Sequence, residues 1–356
     1  MSEAVYIVAM GARTPLGNDA WSTAAAVRAG ISAFSQHPYM IDTAGQPMRV
    51  SMSPSIDPAL QGVQRLEALL YPAIEQALRP LSTGGHPAPR MALALAVSSP
   101  RAGVSAQWPQ QLLQGIQQRH ARQFQAAAVF AAGHASALLG VNAACAKLRQ
   151  GELDACLVAG VDSHLEPETL EALEADDQLH GAGPLNNAWG FIPGEAGAAI
   201  LLMRESVARE RGLVPLATVL GTGVASEPKR IKTETVCLGE GLTLACGQAL
   251  TALPAGYRVS DIYCDMNGEP YRADEYGFTA LRLKEHFESA SDFVAPADCW
   301  GDLAAAGGVL HLILACAANT KRYARGPLAF VWASSEGGER AAVLMAAAQT
   351  VQQQAA

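Results

Sequence analysis

The chain has 356 residues, half of them hydrophobic and 16% charged, and its formal charge at pH 7 is −8. This composition supports a large buried core and excludes a disordered chain. The acidic balance argues against nucleic acid as a partner, because nucleic-acid-binding proteins normally carry a basic excess. No run of 18 apolar residues occurs, so we expect no membrane span, and no basic segment precedes a long apolar run, so we expect no signal peptide.

The seven cysteines are scattered and never have the Cys-x-x-Cys spacing of a zinc or redox motif. We therefore expect no resident metal and no resident cofactor. Several cysteines lie in apolar runs, where we expect free thiols buried in the core. Free thiols persist in a reducing compartment, so the expected location is the cytoplasm.

Short apolar runs predict buried strands along the chain, beginning with residues 4–10, which Gly11 ends before a turn and a helix from about Asp19. Further strands are predicted at residues 91–97, 155–161, 197–203, 216–224, 261–266, 328–334 and 341–347. Helical spacing of apolar residues predicts helices at residues 63–79, 135–150, 205–212, 241–251, 274–287 and 304–318. Strands that alternate with helices predict an α/β fold with layered sheets, and wholly apolar strands fit sheets covered on both faces.

The order of elements also repeats. Each part of the chain has a strand, a helix and a closing pair of strands, with the crossover near residues 205–213. We therefore predict two duplicated βαβαβαββ halves, at residues 1–212 and 213–356.

Four segments resemble the β-ketoacyl synthases of the thiolase-like superfamily. They are VAMGARTPLGND (8–19), AGHAS with the later LRQGELDACLVAGVDS (132–136 and 148–163), WGFIPGEAGAAILLMRESVARERG (189–212) and SEGGERAAVLM (335–345). The resemblance implies the five-layered αβαβα thiolase-like fold. It also implies a dimer, formed either by two copies of this chain or with a true ketoacyl synthase, and a role in acyl-thioester metabolism of the fatty acid or polyketide type.

A condensing synthase needs a cysteine nucleophile at a strand-to-helix elbow. Counting back from Gly151 and Ala144 places His134 at that position. A gap of one or two residues would place Gly133 or Ala132 there, and no register supplies a cysteine. The resemblance thus implies an elbow without its thiol.

The two histidines of the family's catalytic triad are also replaced. The first position corresponds to Met266, with Asn267 as the near alternative, and the second to Asp302 or Gly301, depending on a one-residue gap. We therefore expect a divergent member that does not catalyse decarboxylative condensation.

His134 has two interpretations. It is either an acyl acceptor or general base, working with Asp265, Glu269 or Asp302, or a polar residue that fills a vacated pocket. The following helix N-terminus disfavours an imidazolium, so a neutral ring is expected. A metal site from His134 and these carboxylates has no recognised spacing.

The polar segment at residues 265–275 is either a new site or a loop in which Arg272 pairs with a carboxylate and Asn-Gly forms a turn. Asp302 is also a good N-cap for the helix that follows it, and it could combine both roles.

Two further groups follow from the resemblance. Ser335, Gly337 and Gly338 match the loop that carries the family's gating aromatic and oxyanion amides. Lys229, Arg230 and Lys232 form a basic cluster that either docks an acidic acyl carrier protein or a phosphopantetheine phosphate, or is a solvated loop. An acyl-CoA or phosphopantetheine thioester is the expected ligand.

Two functions are therefore predicted. The first is a non-condensing protein that binds acyl chains or shapes a partner's pocket, as chain-length factors do. The alternative is a remodelled acyltransferase or thioester hydrolase that uses His134 with nearby carboxylates.

Overall fold

The computed structural model describes residues 3–82, 85–120, 123–230, 232–233 and 235–348. The strands are β1 (Val5–Arg13), β2 (Ser35–Ile41), β3 (Pro47–Val50), β4 (Met91–Val97), β5 (Ala126–Ala131), β6 (Ala155–Ser163), β7 (Glu195–Arg204), β8 (Ala217–Ser226), β9 (Asp261–Cys264), β10 (Leu328–Ser334) and β11 (Glu339–Ala347). The α-helices are α1 (Ala20–Arg28), α2 (Gly62–Leu78), α3 (Trp108–Arg119), α4 (Ser136–Arg149), α5 (Pro167–Ala175), α6 (Glu205–Glu210), α7 (Glu240–Leu250), α8 (Pro270–Leu283), α9 (Ala297–Trp300) and α10 (Gly307–Thr320).

Nine strands of the described residues form one sheet, in the order β5-β4-β6-β7-β1-β8-β11-β10-β9. β4 pairs in parallel with β5 and β6, and β9 pairs in parallel with β10, whereas the remaining neighbours are antiparallel. The halves meet at the antiparallel contact of β1 with β8, where Val5 pairs with Val219. In both halves the opening strand, β1 or β8, lies at this contact, and the closing strand, β7 or β11, lies next to it.

Two helices occupy the layer between the two parts of the sheet. α4 and α10 share one apolar cluster with residues of β1, β6, β7, β10 and β11. Twelve residues of α10, from Gly307 to Ala318, are buried, and a helix that is apolar all round must lie inside the protein. The second apolar cluster packs α2 and α3 on the outer face of the first half, and the third packs α7 and α8 on the second. The layers therefore follow the order αβαβα, which confirms the predicted fold class.

The second half departs from the predicted repeat at its outer edge. Among the described residues it has no counterpart of β5, so it contributes four strands where the first half contributes five. An irregular segment takes that place and forms the single bridges of Val259 with Phe287 and of Tyr263 with Val294. The boundary predicted at residue 213 falls between α6 and β8. Within the described ranges, no helix is both long and apolar enough to cross a membrane.

Candidate functional site

The site is built around a sharp turn between β5 and α4. β5 ends at Ala131, a 3-10 turn spans Gly133–Ala135, and the helix begins at Ser136. Gly133 has φ +75°, a conformation that glycine adopts without strain. The Ser136 hydroxyl accepts a hydrogen bond from the amide of Ala132 at 2.7 Å and donates one to the carbonyl of Val97 at 3.1 Å. These contacts fix the elbow, with His134 at its apex.

Parallel strands bring a second imidazole to the same place. β4, β5 and β6 run in parallel, so the residues that follow their carboxyl ends meet at one edge of the sheet. His164 follows β6 directly and is 5% exposed, with its ring against that of Phe191 at 5.6 Å. Sequence reasoning missed His164, although its place just after a buried strand was a usable signal.

Asp302 joins the two imidazoles. Its carboxylate oxygens lie 2.9 and 3.0 Å from Nε2 of His134, and Oδ1 lies 3.2 Å from Nε2 of His164. Oδ2 also accepts a hydrogen bond from Nδ2 of Asn267 at 2.6 Å, and Oδ1 caps the amide of Ala304 at 2.8 Å. Asp302 is therefore the partner of His134, and it also holds the start of the 3-10 turn Ala304–Ala306, although the N-cap residue of that turn is Leu303 and not Asp302.

The charges of this pair stabilise one another. Burial is the largest influence on the pKa of His134 and acts to lower it, but the charge and hydrogen bond of Asp302, together with the charge of Asp265, raise the pKa overall. Burial acts to raise the pKa of Asp302, whereas His134 and His164 hold that pKa well below its ordinary value. The direction of this shift is opposite to the one expected from the helix N-terminus, because the adjacent carboxylate favours the protonated ring.

A buried arginine lies on the other side of His134. Arg272, in the first turn of α8, has no exposed side-chain surface and places Nη2 3.3 Å from Nε2 of His134. Its Nη1 donates to Asp265 and to the carbonyl of Ser334, both at 2.9 Å, and its Nε donates to Glu269 at 3.3 Å. Arg272 is therefore the central cation of the site, and the predicted carboxylates Asp265 and Glu269 bind Arg272 instead of His134.

Glu269 extends the network towards the surface. Its Oε2 accepts hydrogen bonds from Asn267 at 3.0 Å and from the Tyr271 hydroxyl at 2.7 Å. Its Oε1 lies 3.6 Å from Nζ of Lys232, which also pairs with Glu336 at 2.5 Å. Burial acts to raise the pKa of Glu269, but Arg272 and Lys232 lower it. The polar groups of this segment are thus largely satisfied by one another.

The turn between β10 and β11 touches the elbow. The hydroxyl of Ser335 accepts a hydrogen bond from the amide of Ala135 at 2.9 Å, which occupies one amide of the elbow. The amide of Gly338 donates to the carbonyl of Ser335 at 3.1 Å and closes the turn that contains Gly337. The predicted loop therefore lies beside His134, with a serine hydroxyl in contact with the elbow.

Two cavities flank His134. The larger, of about 370 Å³, is lined by polar and apolar groups that include Ser99, Arg101, His164, Thr169 and Glu336. The smaller, of about 20 Å³, lies among Cys264, Trp300, Leu303 and His311. A volume of this size holds about one water molecule. The space on one side of the elbow is thus open, and on the other side it is filled by side chains.

Several predicted positions resolve in space. Asn267 faces Asp302, whereas Met266 packs against the third apolar cluster. Gly301 has φ +76°, and Asp302 is the residue of that pair whose side chain enters the site. Asp265 faces Arg272, so His134, Asp265 and Asp302 do not form a metal-ligand group among the described residues.

The basic cluster is partly neutralised. Nζ of Lys229 lies 3.2 Å from Glu240, and Lys232 pairs with Glu336, while Arg230 is exposed. The chain thus offers less free positive charge here than the sequence pattern indicates.

Known proteins resemble this chain in part of its sequence and in its whole fold. Residues 123–208 match the family described as beta-ketoacyl synthase, N-terminal domain. Over 79 residues the chain is 37% identical to the polyketide synthase PksM of Bacillus subtilis (strain 168). The aligned residues make up 21% of this chain and 2% of that protein. The chain thus spans only a small part of the length of this relative.

Solved structures match over nearly the whole chain. A type II PKS acyl-carrier protein in complex with its ketosynthase, AntDE:AntF, has a TM-score of 0.82 at 14% identity and covers 98% of this chain and 100% of that one. The ketosynthase from module 6 of the bacillaene synthase from Bacillus subtilis 168 has a TM-score of 0.74 at 17% identity. The match covers 97% of this chain and 72% of that one.

A third match is the ishigamide ketosynthase/chain length factor, with a TM-score of 0.69 at 18% identity. The match covers 97% of this chain and 99% of that one. Residues 123–208, which contain the elbow, are similar to the N-terminal domain of beta-ketoacyl synthases, and the whole chain has the fold of the solved ketosynthases.

Proposed function

We propose that this chain is a non-condensing, ketosynthase-like subunit of a polyketide-type pathway, comparable in role to a chain-length factor. The observation that carries the proposal is the occupant of the elbow. His134 stands where the family resemblance expects a cysteine, and it is held by Asp302 at 2.9 Å instead of being free to attack.

The surroundings of the elbow support the same proposal. The resemblance expects two histidines, one at Met266 or Asn267 and one at Asp302 or Gly301, and none of these residues carries an imidazole to polarise a malonyl thioester. The small cavity beside Trp300 and His311 leaves no room for an acyl chain on that side. The match to a ketosynthase/chain length factor structure agrees with such a role.

As a partner subunit, the chain would form a heterodimer with a true ketosynthase, or a homodimer. The carrier protein named with one matching structure suggests that an acyl carrier protein, or its phosphopantetheine thioester, is the ligand presented to the complex. The proposal keeps the cytoplasmic location expected from the scattered cysteines.

The test is an assay of carbon–carbon bond formation. The purified chain, incubated with acyl- and malonyl-carrier thioesters, should form no ketoacyl product and no acyl adduct by intact-protein mass spectrometry. Added to a type II ketosynthase that binds it, the chain should change the length of the products. Condensation by the chain alone would overturn the proposal, and an active ketosynthase assayed in parallel controls for the substrates.

A second candidate is thioester hydrolysis or acyl transfer by His134. It is favoured by one observation, the His134–Asp302 pair beside a cavity of about 370 Å³. A carboxylate-supported imidazole could act as a general base on water once deprotonated. Thiol release from acyl-CoA that disappears in His134→Ala would support this candidate, whereas turnover retained in that variant would exclude His134 as its catalyst.

A further inference from the structure

A second polar cluster lies one helical turn further along α8 from Arg272. Glu227 follows β8, Cys237 lies in the segment before α7, and Glu275 lies on α8, one turn after Arg272. One ligand atom from each of the three side chains lies within 4.8 Å of the other two. Two carboxylates and a thiol from three separate segments thus converge on one point.

The two carboxylates are deeply buried. Glu227 is 1% exposed and Glu275 is not exposed. Glu227 accepts hydrogen bonds from the amides of Lys229 at 3.1 Å and Gly241 at 2.7 Å, which orient both of its oxygens. Buried carboxylates are retained only where cations or donors balance them, so their neighbours decide what the cluster can hold.

The positive charge nearby is too small to balance them. Arg340, which has no exposed surface, donates from Nε to Oε1 of Glu275 at 2.6 Å and is the buried cation next to the pair. Nζ of Lys229 instead contacts the exposed Glu240. Two carboxylates against one guanidinium leave one negative charge in excess.

Unfilled bonding capacity marks the same place. Oε2 of Glu275 is buried and has no hydrogen-bond partner among the described residues. The thiol of Cys237 lies 3.8 Å from Oε1 of Glu275, and this cysteine is only partly buried, so that solvent has a route to the cluster. A buried carboxylate oxygen without a partner is an expensive feature unless it binds something.

We propose that Glu227, Cys237 and Glu275 bind a divalent transition-metal ion of the Zn²⁺ type. A thiolate with two carboxylates suits Zn²⁺ better than Mg²⁺ or Ca²⁺, which prefer oxygen ligands alone. On binding, the Cys237 thiol gives its proton to solvent and the thiolate forms the bond to the metal. The two carboxylates, the thiolate, the guanidinium and the metal then sum to zero charge. A water molecule supplies the fourth ligand.

The metal would connect the second cluster to the candidate site. The amide of Glu227 donates to the carbonyl of Gly338 at 2.7 Å, and Nη1 of Arg340 donates to the carbonyl of Ser335 at 2.6 Å. These residues belong to the turn that contacts the elbow. The ion would therefore fix α8, the segment before α7 and this turn relative to one another, independently of any catalytic activity.

The probe is Co²⁺ added to the full chain after removal of metals by a chelator. Thiolate-bound Co²⁺ gives an intense near-ultraviolet absorption band that carboxylate-bound Co²⁺ lacks. We expect this band to saturate at one Co²⁺ per chain and to disappear when Zn²⁺ displaces it. We also expect Zn²⁺ to raise the Tm of the wild type.

Variants distinguish this site from adventitious binding. Cys237→Ser should abolish the band, and Glu275→Gln should weaken Co²⁺ binding at least about tenfold, in line with loss of one charged ligand. Two control variants are Cys299→Ser, at another cysteine, and Glu240→Gln, at an exposed carboxylate nearby. Each should leave the absorption band and the Co²⁺ affinity unchanged. Absence of the band in the wild type, or its persistence in folded Cys237→Ser, would overturn the proposal.

Discussion

Nε2 of His134 lies 2.9 Å from Oδ2 of Asp302, although the two residues are 168 positions apart in the chain. The side chain of Asp302 is 2% exposed and that of His134 is 13% exposed. The contact joins the elbow of the first half to the segment before α10 in the second half. The interaction of His134 with Asp302 therefore affects both the free energy of unfolding and the chemistry of the site.

The first prediction concerns the pH dependence of stability. Because folding raises the pKa of His134, its contribution is complete below the unfolded-state pKa of about 6.5 and is lost as the pH rises through the raised folded value. We expect the free energy of unfolding, measured by urea denaturation, to fall over this interval. The fall in unfolding free energy with pH should be shallower in His134→Asn. The control variant His286→Asn, at a histidine whose side chain is 35% exposed, should keep the wild-type slope. An unchanged slope in His134→Asn would contradict the assigned pair.

The second prediction is the cost of removing the carboxylate. Asp302→Asn keeps the size of the side chain but removes the charge that faces two imidazoles and caps Ala304. We expect the free energy of unfolding near neutral pH to fall by about 3 kcal/mol, since the variant breaks a buried ion pair. Asp292→Asn, at an exposed pair with Arg325, should cost less than about 1 kcal/mol. Equal losses in the two variants would show that burial of the His134 pair has no energetic consequence.

The third prediction concerns the arginine at the centre of the network. Arg272→Met leaves the carboxylates of Asp265 and Glu269 buried without their cation. We expect chemical denaturation to report a loss of about 3–5 kcal/mol. Adding Asp265→Asn should recover part of that loss, because one of the unpaired charges is then removed. The matched control is Arg119→Met, whose pair with Glu75 is half-exposed and should cost less than about 1 kcal/mol.

The double variant decides between two accounts of Arg272. If Asp265→Asn makes Arg272→Met still less stable, the arginine acts by packing its stem and not by neutralising Asp265. Recovery of stability identifies charge balance as its role.

The fold was predictable because its signals are local. The strands predicted at residues 91–97 and 328–334 coincide with Met91–Val97 and Leu328–Ser334. A short, wholly apolar run bounded by polar residues is typical of a buried strand. β5 was missed because Ala126–Ala131 is alanine-rich and half-exposed at the sheet edge, which gives neither β propensity nor alternation. α8 begins at Pro270, before the predicted start at residue 274, and proline at the first helical position was a signal for the earlier start.

The site was only partly predictable. The resemblance placed His134 and Asp302 at corresponding family positions, which is why both were named from the sequence. It could not indicate that Arg272 and His164 would reach them, because those contacts span 138 residues and depend on how the two halves fold together. Of the three carboxylates considered as partners of His134, Asp302 contacts it, whereas Arg272 holds Asp265 and Glu269.

The last prediction concerns carrier docking. Arg230 is exposed, and the amine of Lys229 contacts the exposed Glu240, so both can meet an acidic surface. Lys232 is left intact because it pairs with Glu336 at the site. If these residues dock an acyl carrier protein, Lys229→Glu with Arg230→Glu should weaken binding of the phosphopantetheinylated carrier about tenfold or more at low salt, and less at high salt. Isothermal titration calorimetry measures both. Lys321→Glu with Arg322→Glu changes two adjacent exposed basic residues elsewhere, and equal weakening by that pair would exclude a specific docking role for the 229–230 pair.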